Sequence, residues 1–190
     1  MKIIGIDLAV PGKFKTGIAV LKLHNKYILV KVIDSVNIVD EVIKEKPQIV
    51  AIDAPLTIPS RGINRLIEIK ARRFGLKLLP PLMSGMRKLT EYAVKIKNTL
   101  ENYGVKVIEV HPSSTLKVMN MSREEFLKII NNFFTIKSCG NLCTDEIDAI
   151  ICAITGLLYY KQCYASLKDE YNQELILPCP EEPLRCLTYG

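Results

Sequence analysis

The chain has 190 residues, 48% hydrophobic and 24% charged, with a net charge of +6. This balance fits a soluble globular protein large enough to bury a sizeable core. No apolar run reaches the length of a membrane span, and a strand pattern rather than a signal peptide follows Lys2. A cytoplasmic protein with no membrane partner is expected, and a secreted disulfide framework is excluded.

KIIGID at residues 2–7 is an apolar run ending in Asp7 and reads as a first, buried strand. Ala9 to Lys13, with Pro11 and Gly12 inside it, is a turn. Thr16–Leu23 and Tyr27–Asp34 read as second and third strands joined by His24, Asn25 and Lys26 into an antiparallel meander. Asn37–Lys46 is a short helix, with Asn37 or Asp40 as cap and Pro47 just beyond its end. Gln48–Asp53 is a fourth strand; because it follows a helix, it is expected to lie parallel to the first. Residues 57–105 form an irregular, basic, mostly helical excursion broken by Pro59, Gly62, Gly75, Pro80, Pro81 and Gly85. Its best helix runs from Met86 to Tyr103, with Gly104 as a stop. Val105–Val110 is a fifth strand. Ser122 and Glu125 have the spacing of a capping box and open a helix toward Asn131. Thr144 to about Tyr164 is a long apolar helix, and residues 165–190 are a tail with one strand-like run, Glu174–Leu177. This order describes one mixed sheet with helices packed on it.

Both central strands end in Asp after Ile, placing Asp7 and Asp53 at the carboxyl edge of the sheet, where open α/β folds keep their ligands. Asp145 and Asp148 are three apart and share a helical face with Cys152, so that face turns toward the sheet. Hard divalent cations prefer such carboxylate oxygens, and two of them about 3.5–4 Å apart can cleave a phosphodiester. Asp7, Asp53, Asp145 and Asp148 are therefore candidate catalytic ligands for Mg²⁺ or Mn²⁺. Each acid also has a plainer reading: turn formation for Asp7 and Asp53, helix capping for Asp145 and Asp148. The plainer readings give no reason for acids at both strand ends and on an inward helix face. Glu109 and His111 close the fifth strand and, by alternation, share one of its faces. Glu109 is a candidate extra catalytic ligand, and His111 a candidate proton carrier or phosphate contact; the alternative is a strand-end polar pair.

Between Ser60 and Thr90 lie Arg61, Arg65, Lys70, Arg72, Arg73, Lys77, Arg87 and Lys88, with Glu68 as the only acid. This segment accounts for the whole basic excess, which suits a nucleic acid partner or a solvated helix face. Arg61, Arg72, Arg73, Arg87 and His111 are the candidate nucleic-acid-binding residues. Of the six Cys, Cys139 and Cys143 lack the spacing of a zinc knuckle, and Cys152 reads as a small core residue. Cys179 with Cys186, and Cys139 with Cys143, are the pairs left open to a disulfide.

KPQIVAID at 46–53, followed by TDEIDAIICAIT at 144–155, resembles the RuvC-type resolvase branch of the ribonuclease H-like superfamily. Those enzymes place an acid after the first strand, another after the fourth, and two acids three apart opening the last helix. Asp7, Asp53, Asp145 and Asp148 occupy these positions. Nearly the whole chain is also similar to domain-of-unknown-function family 429, predicted nucleases of this fold. The shared run is GIDLA at 5–9, TGIA at 16–19, AIDAPL at 51–56, Arg61 with the paired Arg72 and Arg73, EVHP at 109–112, DEIDAIICA at 145–153 and ELILP at 174–178.

The resemblance implies an α/β, ribonuclease H-like mixed five-stranded sheet in the order 3-2-1-4-5, flanked by helices. It implies one domain over 1–190, with 57–105 a basic helical insertion between strands four and five and 165–190 a C-terminal tail. It further implies a nuclease that uses Mg²⁺ or Mn²⁺ in a two-metal carboxylate site on DNA or RNA, with a homodimer left open. Two features depart from the resolvases: Asp53 stands where they carry Glu, and the basic excursion replaces the helix that meets the junction and the dimer partner. Two other classes stay open: a non-catalytic nucleic-acid-binding or scaffold protein on the same fold, and a nucleotide-phosphate enzyme. The latter rests on GIDLA, which also resembles the first phosphate motif of actin-like ATPases, but those need two such domains.

Overall fold

The computed structural model describes residues 1–12, 14–181 and 184–188, with the side chains of Arg185 and Thr188 left outside that description. The strand β1 (Lys2–Asp7) is central because it is apolar on both faces: Ile3, Ile4 and Ile6 are all fully buried. β2 (Lys15–Lys22) pairs antiparallel with β1, and β3 (Tyr27–Asp34) pairs antiparallel with β2. The turn before β2 is present at Pro11 and Gly12; Lys13 lies outside the described residues. On the other side of β1 lies β4 (Ile49–Asp53), parallel to it, and then β5 (Lys106–Val110), parallel to β4.

These strands stand next to one another as 3-2-1-4-5, but the sheet is not five-stranded. Three short strands widen it to eight, in the order β6-β3-β2-β1-β4-β5-β8-β7. β6 (Thr135–Lys137) runs parallel along the outer edge of β3. The segment expected as a tail forms an antiparallel hairpin, β7 (Tyr164–Lys168) and β8 (Glu174–Pro178), with β8 beside β5. Asp169 closes the hairpin by accepting the amides of Tyr171 and Gln173 at 2.8 and 2.9 Å, and Asn172 takes the left-handed turn position at φ 60°.

Helices cover both faces. α1 (Ile38–Glu45) and α3 (Arg87–Asn102) lie on one, with Ala93, Ile96 and Leu100 packed on Ile4, Ile6, Val50 and Ile52. On the other face lie α4 (Pro112–Met119), α5 (Arg123–Ile130) and α6 (Thr144–Tyr160), with Ile150 and Ile154 packed on Ile3 and Ala51. α2 (Leu66–Arg73) belongs to the segment between β4 and β5, and the four-residue α7 (Arg185–Thr188) closes the described chain. Side chains alternate along a strand, so Asp7 shares the face of Ile3, and Asp53 that of Ile49 and Ala51. Both acids therefore stand on the face that carries α6. No helix among the described residues is long and apolar enough to cross a membrane.

The approach of α6 depends on two glycines. A Cβ on Gly5 would stand 2.1 Å from the Ala149 carbonyl oxygen, and one on Gly17 would stand 2.1 Å from that of Asp145. Backbone atoms have no rotamer with which to yield, so Gly17→Ala is expected to cost about 1–3 kcal/mol by overpacking at the start of α6. Urea denaturation of the variant measures this, and a change within experimental error would contradict the close approach.

The disulfide lies elsewhere than expected. Cys163, just past α6, pairs with Cys186 across a Cα–Cα distance of 6.4 Å, inside the range a disulfide spans. Cys179 is a free thiol, as are Cys139 and Cys143.

Candidate active site

Asp7 and Asp53 are register partners across the β1–β4 ladder. Parallel neighbours are about 4.8 Å apart, so the two carboxylates leave the same edge side by side. From α6, which lies across β1 and β2, the charge of Asp148 reaches both acids and that of Asp145 reaches Asp7. Neither Asp caps that helix: the carboxylate of Glu146 accepts the Cys143 amide at 3.0 Å. Asp148 lies a turn further in and is 8% exposed. Its partner is a cation, Arg123, whose Nε donates to Oδ1 at 2.8 Å and whose Nη2 donates to Oδ2 at 2.7 Å. Capping therefore does not account for Asp148.

The cluster is short of positive charge. Burial, then the charges of Asp148 and Asp145, push Asp7 up to about 7, with Arg123 working against them. Asp53 is held well above the ordinary carboxylate range by burial and by Asp7, Asp148 and Glu109, again opposed by Arg123. The thiol of Cys152, buried beneath, is raised by burial and by Asp53, Asp7 and Asp148. Without metal, the folded protein thus binds a proton at Asp7 more tightly than the unfolded chain does. Asp7's contribution to stability is full below about pH 4, is lost as pH rises through about 7, and stays lost above that. Its upper bound is about 4 kcal/mol, reduced by whatever solvent reaches the carboxylate. Unfolding in chelator from pH 4 to 8 should show wild type losing stability relative to Asp7→Asn; parallel profiles would contradict the shift.

Glu109 corrects an expectation. The β4–β5 register pairs Ile52 with Glu109 and Asp53 with Val110, so Glu109 points to the opposite face from the Asp cluster. Its carboxylate accepts Nη1 and Nη2 of Arg65, both at 2.7 Å, and the Leu56 amide at 2.9 Å. Burial raises its pKa and Arg65 draws it back. Arg65 also donates to Glu68 at 2.6 Å and to the Thr57 hydroxyl at 3.1 Å. Glu109 therefore anchors the segment after β4 to β5 and is not a member of the carboxylate cluster.

His111 stands just past the end of the strand at Val110, as the extended N-cap of α4, and lines the same cleft as Glu109. Its Nδ1 accepts the Ser114 amide at 3.2 Å and lies 2.8 Å from the Ser114 hydroxyl. This bonding assigns the ring proton to Nε2. Burial holds the ring below the ordinary His range, while Asp148 pulls the other way.

A cleft of about 220 Å³ is lined by Asp7, Asp53, Glu109 and His111, with Leu79 and Met86 from the segment between β4 and β5; Asp145, Asp148 and Arg123 lie outside its lining. The expected phosphate contacts Arg61, Arg72, Arg73 and Arg87 are all exposed on that segment, outside the cleft lining. Arg72 donates to Asn64 at 2.8 Å. The reading of the sequence missed two arginines. Arg65 is the one basic residue of its run drawn inside, and the signal was Glu68, the lone acid three residues on. Arg123 is the first helical residue inside the capping box of Ser122 and Glu125, which forms as expected through bonds of 2.8 and 3.2 Å.

The donor set suits a hard divalent cation: carboxylate oxygens only, two of them adjacent on neighbouring strands, in a place where Arg123 relieves their mutual repulsion only in part. Among the described residues, no three His, Cys, Asp or Glu side chains already converge as a ready cage. Asp148, the natural third donor, is engaged by Arg123.

No family model matches the chain, and no curated protein matches it. Among solved structures, it is similar to RuvC of Thermus thermophilus. RuvC in complex with a Holliday junction substrate superposes with a TM-score of 0.58 at 13% identity, covering 92% of this chain and 99% of that one. A second Thermus thermophilus RuvC structure gives 0.54 at 14% identity, covering 92% and 100%. At this identity the likeness bears on architecture alone: the chain resembles the two RuvC structures in fold, a mixed α/β sheet flanked by helices.

Proposed function

We propose that this chain is a divalent-metal-dependent nuclease that hydrolyses phosphodiester bonds of DNA or RNA. The observation that carries the reading is the in-register pair Asp7 and Asp53 at the carboxyl edge, faced by the buried Asp148 of α6. Asp7 and Asp53 would hold Mg²⁺ or Mn²⁺, with Asp145 and Asp148 completing the set. The bound metal would supply Lewis acidity to a phosphoryl oxygen and make water a better nucleophile. Asp7 and Asp53 fix the negative charge at one point, because both sit on strands locked in the centre of the sheet. His111, at the cleft wall, offers an Nε2–H hydrogen bond to a phosphate oxygen. Arg61, Arg72, Arg73 and Arg87 bind flanking phosphates, and that binding weakens steeply with salt.

A second reading is a nucleic-acid-binding protein without catalysis. It is favoured by the Asp148–Arg123 pair, which leaves the described residues with no ready three-donor cage. A panel of end-labelled linear, flapped and four-way DNA and RNA, incubated with Mg²⁺ or Mn²⁺, separates the two. The nuclease reading expects metal-dependent cutting of at least one substrate; salt-sensitive binding with no cutting would favour the second.

A further inference from the structure

We propose that Arg123 is the resident counter-cation of the carboxylate cluster, and that it leaves Asp148 when a divalent cation binds. The inference rests on the metal-site reading above and adds a residue that sets the site's cation affinity. Four observations carry it. Arg123 spends both arms of its fork on Asp148, occupying both oxygens at 2.8 and 2.7 Å. Its charge also reaches Asp7 and Asp53, the two strand-end acids of the cluster. The two partners differ in freedom: the Asp148 side chain is 11% exposed, whereas that of Arg123 is 37% exposed and has solvent to move into. Finally, the backbone of Arg123 is fixed, since the capping box sets the start of α5 and Phe126 and Ile130 bury it.

Release therefore needs only rotation about the Arg123 side chain, with no movement of the helix. A divalent cation beside Asp7 and Asp53 repels the guanidinium and offers Asp148 a stronger partner. Conversely, in the absence of metal, Arg123 prevents the buried acids from standing uncompensated. Asp7 and Asp53 would hold the cation as a preformed strand-end pair, and Asp148, once released by Arg123, would join them.

The test is Mn²⁺ binding followed by electron paramagnetic resonance on wild type, Arg123→Gln and the double variant Arg123→Gln with Asp7→Asn. Removing a charge-assisted competitor should tighten Mn²⁺ binding by roughly 10- to 100-fold, with the gain lost in the double variant. Equal affinity in wild type and Arg123→Gln overturns the exchange but leaves the metal site standing. Weaker binding in Arg123→Gln also overturns it, since Arg123 would then organise Asp148 for the metal. No binding in either protein overturns the metal-site reading itself, and the exchange with it. A second readout needs no variant: the Arg123 Nε–H resonance of wild type should shift as Mg²⁺ saturates the protein. A resonance that stays in place at saturation overturns the exchange even if Arg123→Gln does not fold.

Discussion

Arg65→Ala is expected to destabilise the protein by about 3–5 kcal/mol, the range for removing one partner of a buried ion network. Arg65 is 1% exposed, as is Glu68, and Glu109 is 3% exposed. Without the guanidinium, two interior carboxylates would face each other with no cation, and one of them would have to protonate. The loss would also reach beyond the pair. Arg65 holds the Thr57 hydroxyl, which donates to Asp169 at 2.5 Å, so the segment after β4, α2 and the β7–β8 turn share one set of bonds. Urea unfolding measures the cost. Arg73→Ala, an exposed change in the same basic run, is the control and should stay within about 0.5 kcal/mol. A comparably small loss for Arg65→Ala would show that the network contributes no more than a surface pair.

Asp7→Asn is expected to abolish metal-dependent cleavage, by about 10³-fold or more, equivalent to at least about 4 kcal/mol of barrier. The same change should leave the metal-free protein more stable than wild type above pH 7, because it removes a charge that burial and two neighbouring acids disfavour. Such a pairing, function lost while stability is gained, distinguishes an active-site residue from a structural one. A variant that lost activity and stability together would point instead to a turn-forming role for Asp7.

The centre of this fold is legible in the sequence because its signals are local. Apolar runs such as Ile3–Ile6 and Ile49–Ile52, each followed by Asp, announce buried strands and a polar edge together. The long apolar run of α6 and the box at Ser122 and Glu125 are of the same kind. What escapes reading depends on relations between distant segments. Glu109 falls on the wrong face because the β4–β5 register cannot be read from either strand alone, and a one-residue slip reverses every side chain. β6 and β7 have three and five residues, too few to show a period, and exist because an open sheet edge is there to receive them, whereas β8 announces itself as the strand-like run Glu174–Leu177. Arg65 and Arg123 look like any surface arginine until the chain folds and sets them against Glu109 and Asp148, 44 and 25 residues away.

The measurement that bears most directly on the central claim is single-turnover cleavage of the best substrate from the DNA and RNA panel, with wild type and Asp7→Asn side by side, in Mg²⁺ or Mn²⁺ and in chelator. The account predicts cutting by wild type that requires the metal and disappears in Asp7→Asn. Cutting that survives the substitution, or a folded wild type that binds substrate but leaves it intact in both metals, would contradict it.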